Sequence, residues 1–540
     1  MKQLKTNLAS LKNGEWRMVN GETTSFLKET YVEEMGIPGR ILTPKYDEIK
    51  YHLEVEEDMR LFCIIFSHDY EFREETLIQL WIARGTSFTS KKDKYKENVG
   101  MIKEDVAILK VIEPSLDSSK DDLSSVRLGK RPSSRSKDDI NQTFEEDLHV
   151  SWVGDDIDER SSKALRKKIY NLKAFFLCKN ASSINKVPRY VFFALKLEVL
   201  HLGGTLIKKL PGEIGNLVEL RYLDLSFTPI EVIPDNLKCL SKLETLNLNN
   251  CERMLRLPGE MRKLTSLEHL ELDVLGQLTI MPRGLGALTR LESLSTFLVH
   301  NDEGRRIIEL KNMDNLKGSF CISKLENVAN PSEAGEASLR KKKFIKELEF
   351  RWSDTQGKWD MSSSHHNEIL HFLRLNSNLE QLCIACYGGR NIMNWIGNPS
   401  FHMLPSITLF KWYNAELLPC LGHLPSLNFL SFMEMNVVKE IGTKFGGSKD
   451  ESFCKLETLE LIGFSQLERW KVGHESDYKR LCKLVIEQCP KLTSVPSSLL
   501  QLHTLQHLEI LHCKSLTSLL DKQLSTSLTY CGFPGDFATL

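Results

Sequence analysis

The 540-residue sequence contains no uninterrupted apolar run near the roughly 18 residues that a membrane-spanning helix needs. Its first residues, MKQLKTNLASLKNGEW, lack the apolar run and cleavage site of a signal peptide. Net charge is only -1, so there is no general attraction to nucleic acid or to anionic lipid. We therefore expect no nucleic-acid binding and no integral membrane association. The expected location is a reducing one, the cytoplasm, with the nucleus and the periphery of the plasma membrane as alternatives.

Motifs for catalysis and for metal binding are also missing. The sequence has no nucleophile elbow and no metalloprotease motif, so we expect no enzyme and no catalytic residues. Its one CxxC, Cys383 to Cys386, has no second ligand pair at zinc spacing, so no metal is expected there. His365 and His366 lie in the polar segment SSSHHNE, which favours an exposed loop.

A repeat of 23 or 24 residues begins at Leu197, Leu220, Leu243 and Leu267. Each unit starts with LxxLxLxx and turns at Leu-Pro, Ile-Pro or Met-Pro, which is the pattern of a leucine-rich repeat. The LxL alternation predicts a short strand with its leucines facing inwards, and the second half of each unit predicts a helical turn or irregular arc. Neighbouring units must stack to bury their leucines. The fold class is therefore α/β, a leucine-rich-repeat solenoid with a curved parallel β-sheet and a helical or irregular outer face.

The solenoid is predicted to span residues 148–520, with weaker repeats at both ends and a C-terminal tail over 521–540. Residues 89–147 are rich in Ser, Lys and Asp, with little apolar content, and predict a polar flexible linker. Several cysteines occupy repeat positions that require a small buried apolar residue, namely Cys251, Cys489 and Cys513.

Residues 60–85, RLFCIIFSHDYEFREETLIQLWIARG, predict two helices around a turn. This segment resembles the end of the NB-ARC domain of plant nucleotide-binding leucine-rich-repeat disease-resistance proteins, in the coiled-coil branch. The resemblance implies a small α-helical, winged-helix-like remnant over residues 1–88. Its structural motif residues are Phe66, Asp69, Tyr70, Leu80 and Trp81.

Two stretches within the solenoid resemble the same family, LESLSTFLVHNDEGRRIIELKNMDNLKGSF and LEQLCIACYGGRNIMNWIGNPSFHMLPSITLF. Intact members bind ADP or ATP through a P-loop, GxxxxGK[ST], and the sequence contains no such run. The kinase-2, GLPLA and Met-His-Asp motifs are absent as well. We therefore expect an N-terminally truncated member with no bound cofactor, unable to run the nucleotide switch.

The resemblance implies a role in plant immunity: the repeats would recognise a pathogen effector or a guarded host protein that an effector modifies. An intact resistance protein is a further expected partner. Three alternatives remain at this point. The chain would be a generic intracellular repeat scaffold such as a ubiquitin-ligase adaptor, a non-functional fragment, or a secreted repeat receptor, which the absent signal peptide disfavours.

The outward positions of the strands predict the binding surface, because the solenoid's concave face suits proteins. Tyr, Trp and Arg are frequent interface anchors. The candidates are Arg221, Tyr222, Asp224, Phe227, Glu244, Asn247, Asn249, Glu268, His269, Glu271, Asp273, Glu349, Arg351, Trp352, Phe410, Lys411, Tyr413 and Phe429.

Overall fold

The computed structural model describes residues 126–130, 148–152, 169–177, 184–273, 276–354, 363–390, 396–447, 452–473, 477–516 and 529–531. These ranges hold most of the predicted solenoid. The predicted winged-helix-like remnant over 1–88, with its motif from Phe66 to Trp81, lies outside the described residues.

Eight strands form the first sheet in the order of the sequence. β1 and β2 are antiparallel, and each later pair of neighbours is parallel. The strands follow the LxL segments, as predicted. They are β1 Val126–Lys130, β2 Leu148–Trp152, β3 Leu172–Leu177, β4 Val199–His201, β5 Tyr222–Asp224, β6 Thr245–Leu248, β7 His269–Leu272 and β8 Ser293–Leu294.

Ten strands form the second sheet, in the order β9, β10, β11, β12, β13, β14, β16, β18, β19 and β20, and all are parallel. β15 and β17 form a separate parallel pair. The strands are β9 Thr296–Leu298, β10 Lys317–Ser323, β11 Phe344–Arg351, β12 Gln381–Ala385, β13 Ser406–Phe410, β14 Phe429–Met433, β15 Glu440–Ile441, β16 Thr458–Ile462, β17 Arg469–Trp470, β18 Lys483–Glu487, β19 His507–Leu511 and β20 Thr529–Cys531.

Short helices return the chain between strands, as the second half of each repeat predicts. Pro188, Pro211 and Pro234 each stand directly before a 3-10 helix, where the missing backbone N–H costs nothing. The 3-10 helices are Ile169–Asn171, Arg189–Phe193, Gly212–Asn216, Asp235–Cys239, Met261–Lys263, Leu285–Ala287, Ile307–Asn312, Leu325–Asn327, Leu339–Lys341 and Thr443–Phe445. The α-helices are α1 Ser332–Glu336, α2 Ser363–Phe372 and α3 Ser497–Leu500.

The leucines of successive repeats stack into one core. Leu200, Leu223, Leu246 and Leu270 pair in register across β4 to β7, and all four are fully buried. Burying one such side chain contributes about 1.5–3 kcal/mol. Because each leucine is covered by its counterparts in adjacent repeats, the stack explains why one repeat cannot fold alone.

Small polar side chains complete the turn after each strand of the regular repeats. The Thr228 hydroxyl donates to the carbonyl oxygen of Leu225 at 2.6 Å, and the Cys251 thiol donates to the same oxygen at 3.1 Å. Burial raises the pKa of Cys251 to about 11, so the thiol stays protonated. Cys489 and Cys513 are also buried, as predicted for these repeat positions.

The structure differs from the predicted boundaries at two places. β1 lies inside the predicted linker 89–147, where it pairs with β2, so a linker without structure is wrong for these five residues. β20 lies inside the predicted tail 521–540 and extends the second sheet beyond β19. In both places main-chain pairing with an existing strand compensates for the weak apolar pattern.

The predicted exposed loop at His365 and His366 is wrong. Both residues lie in α2, and His366 is only 1% exposed. Its imidazole packs against Trp352, with 5.5 Å between ring centroids. This aromatic contact, which links α2 to the residue after β11, holds the histidine inside the protein.

Candidate protein-binding surface

Tyr222 lies in β5, between Val199 of β4 and Thr245 of β6. All three side chains are buried, and Tyr222 is 1% exposed. Its hydroxyl donates to Asp224 Oδ2 at 3.1 Å. The prediction of Tyr222 as a surface anchor is wrong, because its aromatic ring is covered and its hydroxyl is engaged within its own strand.

Asp224 is likewise buried and accepts several hydrogen bonds. The backbone N–H of Ser226 donates to Oδ1 at 2.7 Å, and Asn247 Nδ2 donates to Oδ2 at 3.2 Å. His201 Nδ1 lies 3.8 Å from Oδ2. Burial lowers the pKa of His201, against the opposing attraction of Asp224. Asp224 therefore organises the interior of the sheet face and does not offer a carboxylate to a partner.

Charges along the first sheet are matched by opposite charges from neighbouring repeats. The Arg221 guanidinium lies 2.6 Å from Glu244, whose pKa is raised mainly by burial. Such pairs neutralise the carboxylates of this face with basic groups of adjacent repeats. The other pairs are Lys173 with Glu198, Arg290 with Glu268, and Lys317 with Glu292.

Glu268, His269 and Glu292 offer ligand atoms within 4.8 Å of one another. Glu268 already lies 2.5 Å from Arg290, and Glu292 lies 2.5 Å from Lys317. A cation at this cluster would compete with two ion pairs. The cluster therefore gives no reason to revise the expectation of no metal.

Three predicted residues stay accessible at the ends of β5 and β6. Phe227 is 63% exposed in a left-handed conformation, with φ of 56°, and its N–H donates to Asn249. Asn247 and Asn249 are half-buried, joined by a hydrogen bond from the Asn249 N–H to Asn247 Oδ1. Glu271 accepts hydrogen bonds from the Ser293 and Ser295 hydroxyls. Most polar groups of the first sheet thus have internal partners.

Trp352 is also buried, at 1% exposure. Its ring lies 5.3 Å from that of Tyr387, which in turn lies 4.8 Å from that of Trp412. Trp412 Nε1 donates to the carbonyl oxygen of Ile384 at 3.1 Å. The prediction of Trp352 as an exposed anchor is wrong, because it belongs to this internal aromatic cluster.

The other predicted polar residues of the second sheet are half-buried and paired with each other or with Asp354. Arg351 forms an ion pair with Glu349, and Lys411 lies 2.8 Å from Asp354. The hydrogen bond from Lys411 to Asp354 is the main cause that raises the pKa of Lys411. The Tyr413 hydroxyl donates to the same carboxylate, which joins these residues into one polar cluster at the ends of β11 and β13.

An apolar row crosses the strands beside this cluster. Phe410 of β13 pairs in register with Met433 of β14, which pairs with Ile462 of β16. All three side chains are half-buried. We call these three residues the apolar row. Sequence reasoning named Phe410 but missed Met433 and Ile462, although all three occupy the same repeat position, directly after the second leucine-type residue of the strand.

Carboxylates accompany the apolar row on the outward side of β16, β18 and β19. Glu460, Glu487 and Glu509 are half-buried, and within the described part of the chain none of them forms an ion pair. Lys483 and His507 are the basic side chains described at the outward positions of the same three strands. These three glutamates are not among the predicted candidates, although they occupy outward strand positions like those of Glu244 and Glu271.

A polar groove of about 420 Å³ follows the ends of β14, β16, β18 and β19. One of its lining residues, Gly463, has a φ of 75° and adds no side chain to the groove. The lining residues are Glu434, Asn436, Gly463, Ser465, Gln488, Pro490 and His512. The groove lies immediately beyond the apolar row, since Glu434 follows Met433 and Gly463 follows Ile462.

The CxxC segment holds two thiols that are shielded from solvent to different extents. Cys386 is buried and Cys383 is half-buried in β12. Burial raises the pKa of Cys386 to about 11 and that of Cys383 to about 12. Both thiols are therefore protonated at neutral pH in the metal-free chain.

Repeating strands, short helical returns and stacked leucines define a leucine-rich-repeat protein. The R13L1/DRL21 leucine-rich-repeat family matches residues 307–435. Together with the relatives described next, this match confirms the predicted resemblance to plant disease-resistance proteins. No helix among the described residues is long and apolar enough to cross a membrane.

Curated relatives are disease-resistance proteins. At3g14460 of Arabidopsis thaliana is 32% identical over 213 residues, which cover 37% of this chain and 15% of that protein. RPP13-like protein 1 of Arabidopsis thaliana is 32% identical over 228 residues, with 39% and 22% covered. RGA2 of Solanum bulbocastanum is 30% identical over 215 residues, with 38% and 22% covered. The matched region therefore spans only 15% to 22% of these relatives.

One solved structure similar to this chain is a leucine-rich-repeat protein of Leptospira interrogans. It is 16% identical, and the match covers 71% of this chain and 89% of the Leptospira chain, with a TM-score of 0.37. An internalin from Listeria monocytogenes is 15% identical, covers 69% and 89%, and has a TM-score of 0.38.

Proposed function

We propose that this chain is a non-catalytic recognition module of plant immunity. Its repeats bind a pathogen effector, or a host protein that an effector has modified. The observation that carries the proposal is the match of residues 307–435 to a repeat family of disease-resistance type, combined with a half-exposed apolar row on the same sheet. Polar and apolar groups exposed together are typical of protein interfaces.

Nucleotide switching forms no part of this chain's own activity in the proposal. The sequence has no GxxxxGK[ST] run to supply the backbone amides and the lysine that hold phosphates. The chain would act with an intact resistance protein, either as a decoy or as a regulator, and recognition would be its contribution.

The test is affinity capture of the tagged full chain from leaf tissue, with bound proteins identified by mass spectrometry. The same chain carrying Leu246→Asp is the control, because a charge in the fully buried stack unfolds the repeats. We expect an intact resistance protein or a host immune component with the native chain and not with the control. Recovery of the same chaperones with both chains would contradict the proposal.

A further inference from the structure

The two sheets differ in what they leave for a partner. Many outward residues of the first sheet are covered or paired, as Tyr222 and Asp224 are by each other, whereas Phe227, after β5, stays exposed. On the second sheet the apolar row is half-buried, with Phe410 packed against the core, and Glu460, Glu487 and Glu509 form no ion pair with a described residue. Half-exposed apolar groups beside unneutralised acids favour a partner that has both apolar and basic groups.

We propose that the outward face of β13 to β19 is a docking surface for a basic amphipathic helix of a partner protein. The helix would place its apolar side on Phe410, Met433 and Ile462, and its lysines or arginines near Glu460 and Glu487. This inference rests on the proposed function, because it specifies the kind of segment that the recognition module binds.

The spacing of the strands favours a helix over an extended peptide. Adjacent strands of a sheet lie about 4.8 Å apart, and an α-helix rises about 5.4 Å per turn. A helix lying across the strands would therefore present one apolar side chain to each strand in turn. In an extended peptide, side chains on the same side are two residues, or about 6.7 Å, apart. This spacing exceeds the distance between strands, so the side chains no longer match the strands by the third contact. Over β13, β14 and β16, the three strands of the apolar row, the helix would drift by only about 1 Å, and β18 carries Glu487 in the same register, where a basic side chain would follow.

Charge on this face selects a basic helix. Three glutamates, Glu460, Glu487 and Glu509, occupy outward strand positions that also carry Lys483 and His507. Glu434 adds a fourth carboxylate at the edge of the groove, 3.6 Å from Lys411. A helix with acidic groups on the same side would meet like charges here, so the surface discriminates by sign of charge.

The polar groove gives the basic side chains a place to lie. It begins where the apolar row ends, and within it Gly463 lies close against Glu434, since a Cβ at Gly463 would stand 3.2 Å from the Glu434 backbone nitrogen. A lysine or arginine beside the apolar stripe of the helix could extend its aliphatic stem along Ile462 and its charge towards Glu434. The apolar row would thus contact the apolar side of the helix, and the groove would hold the basic side chains that flank it.

A synthetic helical peptide of about 18 residues, or five turns, is the probe. It has leucine at every third or fourth position and lysine at the flanking positions; a second peptide has glutamate in place of each lysine. Binding of each labelled peptide to the full chain is measured by fluorescence anisotropy. We expect the lysine peptide to bind at least about tenfold more tightly than the glutamate peptide. Equal binding of the two peptides would overturn the charge assignment.

Two kinds of variant locate the site. Met433→Asp should weaken binding of the lysine peptide by about tenfold or more, and the matched control Phe227→Asp, an exposed residue of the first sheet, should not. The double change Glu460→Lys with Glu487→Lys alters only half-exposed groups, so it keeps the fold, and it should abolish the preference for lysine. Unchanged binding in both second-sheet variants, with circular dichroism showing folded chains, would overturn the proposal.

Leaf capture with the Glu460→Lys, Glu487→Lys chain separates this inference from the proposed function. Loss of the immune partner from this variant would support both. Full recovery of the partner would overturn the docking surface and leave the recognition function standing.

Discussion

The Lys342 ammonium group donates to the carbonyl oxygen of Leu310 at 2.7 Å, across 32 residues of sequence. It also donates to the carbonyl oxygen of Met313 at 3.0 Å, and Asp314 Oδ1 lies 3.5 Å away. The lysine is fully buried, and burial lowers its pKa. Lys342 thus supplies donors to carbonyl oxygens at the end of a 3-10 helix, a place where backbone acceptors lack intrahelical partners.

Replacing Lys342 with methionine should therefore destabilise the chain. Methionine fills similar space but donates no hydrogen bond, so the Met313 carbonyl oxygen loses its lysine donor and the Leu310 oxygen keeps only the Met313 N–H, at a cost of about 1–3 kcal/mol. Urea unfolding followed by circular dichroism measures the change. Lys343→Met, at the exposed neighbouring position, is the matched control and should change stability by less than about 0.5 kcal/mol. Equal stability of the two variants would show that the Lys342 contacts contribute little.

Trp352→Ala should lower the thermal stability of the chain and should not remove a direct contact with a partner. The indole is buried between the rings of His366 and Tyr387. Removing a large buried aromatic side chain costs about 3–5 kcal/mol. Differential scanning calorimetry should show a lower unfolding temperature, and Phe227→Ala, which removes an exposed ring, should leave it nearly unchanged. An unaltered transition in Trp352→Ala would restore this residue as a surface candidate.

Acidic pH should destabilise the fold through His366. Burial lowers the pKa of His366 from 6.5 to about 4, so between these values the unfolded chain holds a proton that the folded chain does not. The contribution of His366 to the free energy of unfolding should be fully present above pH 6.5. It should fall as the pH decreases towards 4, by at most about 3 kcal/mol. His201, whose pKa burial also lowers, contributes in the same direction.

His366→Phe provides the check on this pH dependence. Phenylalanine keeps a ring beside Trp352 but takes up no proton, while His201 remains in both chains. Urea unfolding of each chain at several pH values between 4.5 and 7.5 gives the two slopes of stability against pH, and about 1.4 kcal/mol corresponds to each pKa unit. The variant should have the shallower slope; identical slopes would mean that His366 does not titrate as described.

Adenine nucleotides should not bind this chain tightly. The sequence contains no P-loop, so neither the cradle of backbone amides nor its lysine is available for phosphate. Calorimetric titration with ADP and magnesium should show no heat beyond dilution. Binding in the micromolar range would contradict this expectation and would require a nucleotide site built from other residues.

The sequence predicts the repeats well and the accessible surface poorly. Leu382 and Leu430 lie in strands as expected, because an inward leucine at every second position determines both strand and face. Outward positions carry no such constraint. Tyr222 and Met433 both occupy outward positions, yet one is buried by its neighbours and the other is half-exposed. That difference depends on adjacent repeats, which the pattern of one repeat does not encode.

Trp352 illustrates the same limit for the candidate site. An aromatic residue after a strand is an interface anchor or a core residue according to what packs against it, and α2 lies ten or more residues away in sequence. The signal for the apolar row was present, since Phe410, Met433 and Ile462 share one repeat position. Comparing that position across repeats would have found it.

Carboxyl footprinting tests the central claim, that the second sheet is the recognition surface, most directly. The full chain is treated with a carbodiimide and an amine, with and without saturating lysine peptide, and labelled glutamates are quantified by mass spectrometry. Glu460 and Glu487 should become several-fold less reactive, and Glu213, exposed on a 3-10 helix of the outer side, should not change. Unaltered labelling of Glu460 and Glu487, with protection of Glu271 on the first sheet, would contradict the account.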